Sequence, residues 1–186
     1  MKEIRIHGRG GQGCVTAGLL IAEAFFQSGK WAQTFPIFGV ERRGAPVAAF
    51  VRVGDNPILQ RYNVYKPHDV LIADPTLVNV VNVIEGLRKD GRIFINTPWD
   101  YDKGEPEVQI EGFELHPIEA TAIALHWKLG TEQAPIVNTA LVGFYLRICG
   151  IALEHGLTAV EKHIPIQTKA NKQAMTDAYH FDMIKD

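Results

Sequence analysis

The chain has 186 residues, 46% of them hydrophobic and 22% charged. That is a globular composition, which excludes a disordered chain and leaves room for about one domain of roughly 150 residues. Nineteen Lys+Arg against 21 Asp+Glu give a net charge of −2, with no global attraction to nucleic acid or an anionic membrane; two cysteines cannot hold an iron–sulfur cluster alone, and no Cys-x-x-Cys or His-x-x-x-His pair marks a zinc site.

Ile4 and Ile6 alternate with Arg5 and His7, so Lys2–His7 is predicted as a first strand. Gly8-Arg9-Gly10-Gly11-Gln12-Gly13 follows, and Val15, Leu19, Ala22 and Phe26 at helical spacing predict a helix over Gly13–Gln27. Trp31–Pro36 is a second strand, Ile37–Pro46 a charged loop, and Val47–Val53 a third strand. Val70–Ala73 is a buried strand, and Asp74-Pro75 then marks a helix start. Leu77, Val80, Val81, Ile84 and Leu87 form a helical stripe. Arg92–Asn96 is a strand, Pro98–Gly112 polar and turn-rich, and Phe113–His116 a short strand. Helices are predicted over about Ala120–Leu129, Ile136–Cys149, Ala159–His163 and Lys169–Tyr179.

This order predicts an α/β fold: a three-layer α/β/α, Rossmann-like arrangement with helices on both faces of a mainly parallel sheet. The sheet is expected to be mixed, because a loop and not a helix joins Trp31–Pro36 to Val47–Val53. No linker divides residues 1–186, so one domain is expected. The longest uncharged apolar-rich window, Ala134 to Leu146, is shorter than the ~18 residues of a membrane span. No apolar leader opens the chain, so a cytoplasmic protein without membrane contact is expected.

Gly8-Arg9-Gly10-Gly11-Gln12-Gly13 fits G-x-G-x-x-G between a strand and a helix. Glycines allow close backbone approach, and the helix N-terminus offers free N–H groups to a phosphate. The alternative is that the glycines only let helix and sheet pack closely. A dinucleotide site would also need an acidic residue at the end of the second strand. That strand reads Trp31-Ala32-Gln33-Thr34-Phe35-Pro36, without a carboxylate, and the next acid is Glu41.

Phe38-Gly39-Val40-Glu41-Arg42-Arg43-Gly44-Ala45-Pro46 follows the same strand. Two permanently charged guanidinium groups suit a polyphosphate. A solvated turn, or Glu41 paired with an arginine to brace the loop or a subunit contact, is the other reading. Asn138-Thr139 stands near the start of an apolar helix, where Asn138 either caps that helix or presents its amide to a ligand.

The residues Ile6 to Gly13, then Phe35 to Val47, resemble the gamma subunit of 2-oxoacid:ferredoxin oxidoreductases, best the pyruvate and 2-oxoisovalerate type. The likeness extends through Asp69–Pro75, Asn138-Thr139-Ala140 and Asn171–Tyr179, and so along nearly the whole chain. The resemblance implies a complex that decarboxylates a 2-oxoacid on thiamine diphosphate with Mg²⁺. Electrons pass through [4Fe–4S] clusters to ferredoxin, and the acyl group goes to coenzyme A. Alpha and beta chains would bind thiamine diphosphate, and beta or delta chains would carry the clusters. The gamma chain would help to bind coenzyme A, through Gly8, Arg9, Gly10, Gly11, Gln12, Gly13, Glu41, Arg42, Arg43 and Asn138. No catalytic residue or metal ligand is expected on it, and it should be inactive alone. Val142-Gly143-Phe144 departs from the expected Leu-Gly-Ala pattern, so helix packing there should differ. The competing reading is a free-standing Rossmann-like nucleotide-binding protein, against which the missing ribose carboxylate counts.

Overall fold

A computed structural model describes residues 1–36, 44–100, 103, 105–108 and 110–182. Its main sheet has six strands in the order β2-β3-β1-β4-β5-β8. They are β1 (Lys2–Arg9), β2 (Trp31–Pro36), β3 (Pro46–Gly54), β4 (Asp69–Ile72), β5 (Arg92–Asn96) and β8 (Glu114–Ile118). β1, β4, β5 and β8 run parallel, while β3 is antiparallel to both β1 and β2. The sheet is therefore mixed and mainly parallel, as the loop between β2 and β3 predicts. Two small antiparallel pairs lie outside it: β6 (Trp99–Asp100) with β7 (Glu105–Pro106), within the stretch predicted as turns, and β9 (Gly130–Thr131) with β10 (Ala134–Pro135).

Alternation along the strands builds two cores. Ile4 and Ile6 of β1, Leu71 of β4 and Phe94 of β5 face the helices α1 (Cys14–Gln27), α2 (Ala120–His126), α3 (Asn138–Ile148), α4 (Leu153–His163) and α5 (Thr168–Tyr179). Val70, Ile72, Ile93 and Ile95 face the other way. There the predicted helical stripe is absent. Asp74 caps a short 3₁₀ helix, Pro75–Asn79, by accepting from the Thr76 N–H, and turns follow it. Leu77, Val81, Ile84 and Leu87 still pack on the sheet. Gly86 marks one of these turns: its φ is +68°, and a Cβ there would lie 2.0 Å from the Tyr65 carbonyl oxygen.

Gly143 lets α3 and α5 approach closely, since a Cβ on it would meet the Met175 carbonyl oxygen at 2.4 Å. Polar groups tie the amino-terminal edge of the sheet. Asp69 accepts two bonds from Arg92, at 3.0 and 2.9 Å, and one from the Tyr145 hydroxyl at 2.8 Å, and pairs with Lys2 at 2.5 Å.

The sheet also fixes where a ligand can sit. From β1 the chain goes first to one side, to β2 and β3, and then to the other, to β4, β5 and β8. Strand order thus reverses between β1 and β4. In open α/β sheets the crevice outside the carboxyl ends of such strands is where ligands bind. The glycine loop leaves β1 at that point, and Asp74 stands just past β4.

Candidate functional site

Gly8 and Arg9 belong to β1, paired with Val47 and Pro46, so the turn proper is Gly10–Gly13. Gly8 has no room for a side chain, because a Cβ would lie 2.3 Å from Cys14 Sγ. Gly11 (φ 100°) and Gly13 (φ 78°) occupy the left-handed region, where other residues are strained. Gln12 pins the turn. Its N–H donates to the Arg9 carbonyl at 3.0 Å, and its Oε1 accepts from the Arg9 N–H at 2.7 Å. Gly13 is the N-cap of α1 and supplies no side chain to it. Among the described residues, no backbone acceptor meets the N–H groups of Gly11, Gly13, Val15 or Thr16, while the Cys14 N–H faces its own Sγ. The loop therefore presents a row of amides at a helix N-terminus, an arrangement suited to an anion.

Arg9 points elsewhere. Its guanidinium donates to Asp74 Oδ2 at 3.0 Å, the Thr76 hydroxyl at 2.7 Å and the Gly44 carbonyl at 3.1 Å. Gln12 Nε2 donates to the same Asp74 oxygen at 3.0 Å. Burial alone would raise the Asp74 carboxyl. The Thr76 hydroxyl, the Gln12 amide, the Thr76 N–H and the Arg9 charge together hold it below the usual carboxylate range. Arg9 is thus a brace between β1, the segment after β4 and the end of the arginine loop.

Glu41, Arg42 and Arg43 lie outside the described residues. The residues after them are tied to the glycine loop: Gly10 N–H donates to the Ala45 carbonyl at 2.9 Å, and Gly44 N–H to the Gly10 carbonyl at 3.0 Å. Asn138 joins from 125 positions away, its Nδ2 donating to the Gly13 carbonyl at 3.5 Å. It does not cap α3, whose N-cap is Val137. Its Oδ1 accepts instead from the Thr139 N–H at 2.9 Å. A Cβ on Gly13 would lie 2.5 Å from Asn138 Nδ2, so the two close on one another.

A cavity of about 370 Å³ opens beside this loop. Its lining includes Gly11, Gly13, Thr16 and Asn138 together with residues 163–167 and Asn171. The sequence reading missed residues 163–167 and Asn171 as cavity lining, and the Arg9–Asp74 brace. Asp74 could have been found by the same rule that located the glycine loop, since both follow the carboxyl ends of adjacent parallel strands.

The thiol beneath the loop, Cys14, is not poised as a nucleophile. Burial pushes the Cys14 thiol up to about 12, so it stays protonated beneath the loop. Cys149 belongs to the other edge of the sheet, beside Lys2 and Arg92. Among the described residues no group of three His, Cys, Asp or Glu could hold a metal ion.

Residues 3–181 match the family model for pyruvate ferredoxin/flavodoxin oxidoreductase. The chain belongs to that family. It is 46% identical over 162 residues to the pyruvate synthase subunit PorC of Methanothermobacter thermautotrophicus, covering 87% of this chain and 84% of that one. It is 43% identical over 162 residues to the pyruvate/ketoisovalerate oxidoreductases common subunit gamma of Pyrococcus abyssi, covering 87% and 85%. Its fold matches the crystal structure of pyruvate oxidoreductase subunit PORC from Thermotoga maritima with a TM-score of 0.74 at 35% identity, covering 96% and 94%. Within the family the chain is of the gamma-subunit type, as the glycine and arginine loops together imply. Among the described residues no helix is long and apolar enough to cross a membrane.

Proposed function

We propose that this chain, acting as one domain in the cytoplasm, is the gamma component of a complex that converts a 2-oxoacid to acyl-coenzyme A, CO₂ and reduced ferredoxin. Its own share is contact with coenzyme A and assembly with the alpha, beta and delta subunits. Thiamine diphosphate, Mg²⁺ and the [4Fe–4S] clusters belong to those partners. The donor set here does not suit a cluster, since the two thiols lie at opposite edges of the sheet and Cys14 is buried.

The observation that carries this reading is the row of amides from Gly11 into α1, closed on one side by Asn138 and opening on a cavity. Coenzyme A carries a diphosphate and a 3′-phosphate, and backbone N–H groups at a helix start hold such oxyanions without a competing side chain. Arg9 contributes by fixing the loop's shape, because its charge is already paired with Asp74. Direct cationic contacts fall to Arg42 and Arg43, on the segment anchored at Gly44 and Ala45.

Affinity purification of the tagged chain from native cells tests the assignment. Co-purification of thiamine diphosphate, iron and larger subunits is expected. Recovery of the chain alone, without thiamine or iron, would overturn it.

A further inference from the structure

A chain of buried polar contacts runs from the glycine loop to the far side of the cavity. Asn138 reaches the Gly13 carbonyl and accepts from the Thr139 N–H. The Thr139 hydroxyl, wholly buried, donates to Asn171 Oδ1 at 3.1 Å. Asn171 is itself 4% exposed, and its Nδ2 donates to the Gln167 carbonyl at 3.0 Å and the Ile166 carbonyl at 3.4 Å. Those two residues need holding. Gln167 sits at φ 52°, in the left-handed region that few non-glycine residues adopt, and Ile166 is 75% exposed at the cavity rim. The Gln167 carbonyl also accepts from the Asn171 N–H at 3.0 Å, so Asn171 holds this turn between α4 and α5 through backbone and side chain.

We propose that Thr139 and Asn171 are positioning residues that hold residues 164–167 as the wall of the coenzyme A site facing the glycine loop. This rests on the coenzyme A reading above. Through one hydrogen bond they couple two elements that share the cavity, the start of α3 bearing Asn138 and the turn before α5. A ligand seated on the loop's amides then meets a wall already ordered, which removes part of the ordering entropy from binding. Neither residue touches reacting atoms. Losing their contact should therefore change how tightly coenzyme A is held and leave the chemistry alone.

The test uses the assembled complex. Thr139→Val keeps the shape and removes the hydroxyl, leaving Asn171 Oδ1 unpaired, whereas Thr139→Ser keeps the donor. Thr139→Val should raise the coenzyme A KM about three- to tenfold, with kcat and the 2-oxoacid KM unchanged, and Thr139→Ser should stay near the native value. Asn138→Ala, run in parallel, reports on the coenzyme A reading itself. If Asn138→Ala raises the coenzyme A KM and Thr139→Val does not, the positioning role is wrong and the reading stands. If neither variant moves it, the reading fails and this inference with it. Hydrogen exchange on the complex without coenzyme A reads the wall itself: the amides of residues 164 and 166–168 should exchange faster in Thr139→Val than in the native complex. Equal exchange in the two overturns the proposal.

Discussion

Two buried side chains tie the stability of this fold to pH. His7 follows Ile6 on β1, and burial, with the Arg5 charge adding to it, lowers its pKa to about 4. An unfolded histidine titrates near 6.5. Between those values the unfolded chain binds more protons than the folded one. Stability should therefore fall as pH drops from about 6.5 toward 4, by at most ~1.4 kcal/mol per pH unit from this residue. Urea unfolding of native protein and His7→Leu at pH 7, 5.5 and 4.5 isolates the contribution, since His68 and His116 add losses of the same sign to both. The two proteins should diverge in slope; parallel pH dependence would exclude His7 as the cause. Asp69 acts lower. Burial alone would raise its carboxyl, but Arg92, Lys2 and Tyr145 hold it below the ordinary range. Its stabilisation is present above about pH 4 and is lost as pH falls through the lowered value. Removing the charge with Asp69→Asn leaves two cations facing a neutral amide. That variant should lose about 2–4 kcal/mol of unfolding free energy at pH 7, read from its urea midpoint.

At the scale of elements, local pattern and context agreed for most strands and failed on one face of the sheet. Trp31–Pro36 and Arg92–Asn96 could be read to the residue, because β-rich runs there are bounded by Gly and Asp-Gly turns. The stripe Leu77 to Leu87 misled because helical spacing is also met by a series of turns laid across a sheet. The apolar residues still face Val70 and Ile72, but through turns, one of them at Gly86. Periodicity reports which residues are buried; it does not report the backbone that buries them. The glycine loop was legible because it depends on local backbone geometry. That makes its substitution a sharp test. Gly13→Ala sets a Cβ at φ 78° against Asn138, while Gly29→Ala meets nothing within 4 Å at φ 87°. Both bear the left-handed strain of about 1–2 kcal/mol. Gly13→Ala should lose more stability than Gly29→Ala by thermal unfolding, and only it should weaken coenzyme A use by the complex. Equal losses would mean that Asn138 yields freely.

At the scale of the molecule, what the sequence could not disclose is long-range. Asn138 lies beside Gly13 across 125 positions, and Arg9 meets Asp74 across 65. No periodicity encodes such pairings; only the strand order creates them. The same limit applies to the complex. Among the described residues, the groups around the glycine loop are mainly backbone amides, carboxamides and the Arg9–Asp74 brace. The purified chain alone should show no pyruvate- and coenzyme A-dependent dye reduction, and measurable activity would contradict a division of labour among subunits. The proposed contact with coenzyme A joins the amides of the glycine loop to Arg42 and Arg43, which precede Gly44 in the sequence. Charge-assisted phosphate contacts are worth about 1.5–3 kcal/mol each. In the purified complex, replacing both arginines with alanine should raise the coenzyme A KM by roughly tenfold to a hundredfold. The 2-oxoacid KM should stay unchanged, with the complex intact by gel filtration. An intact complex with an unchanged coenzyme A KM would contradict the claim.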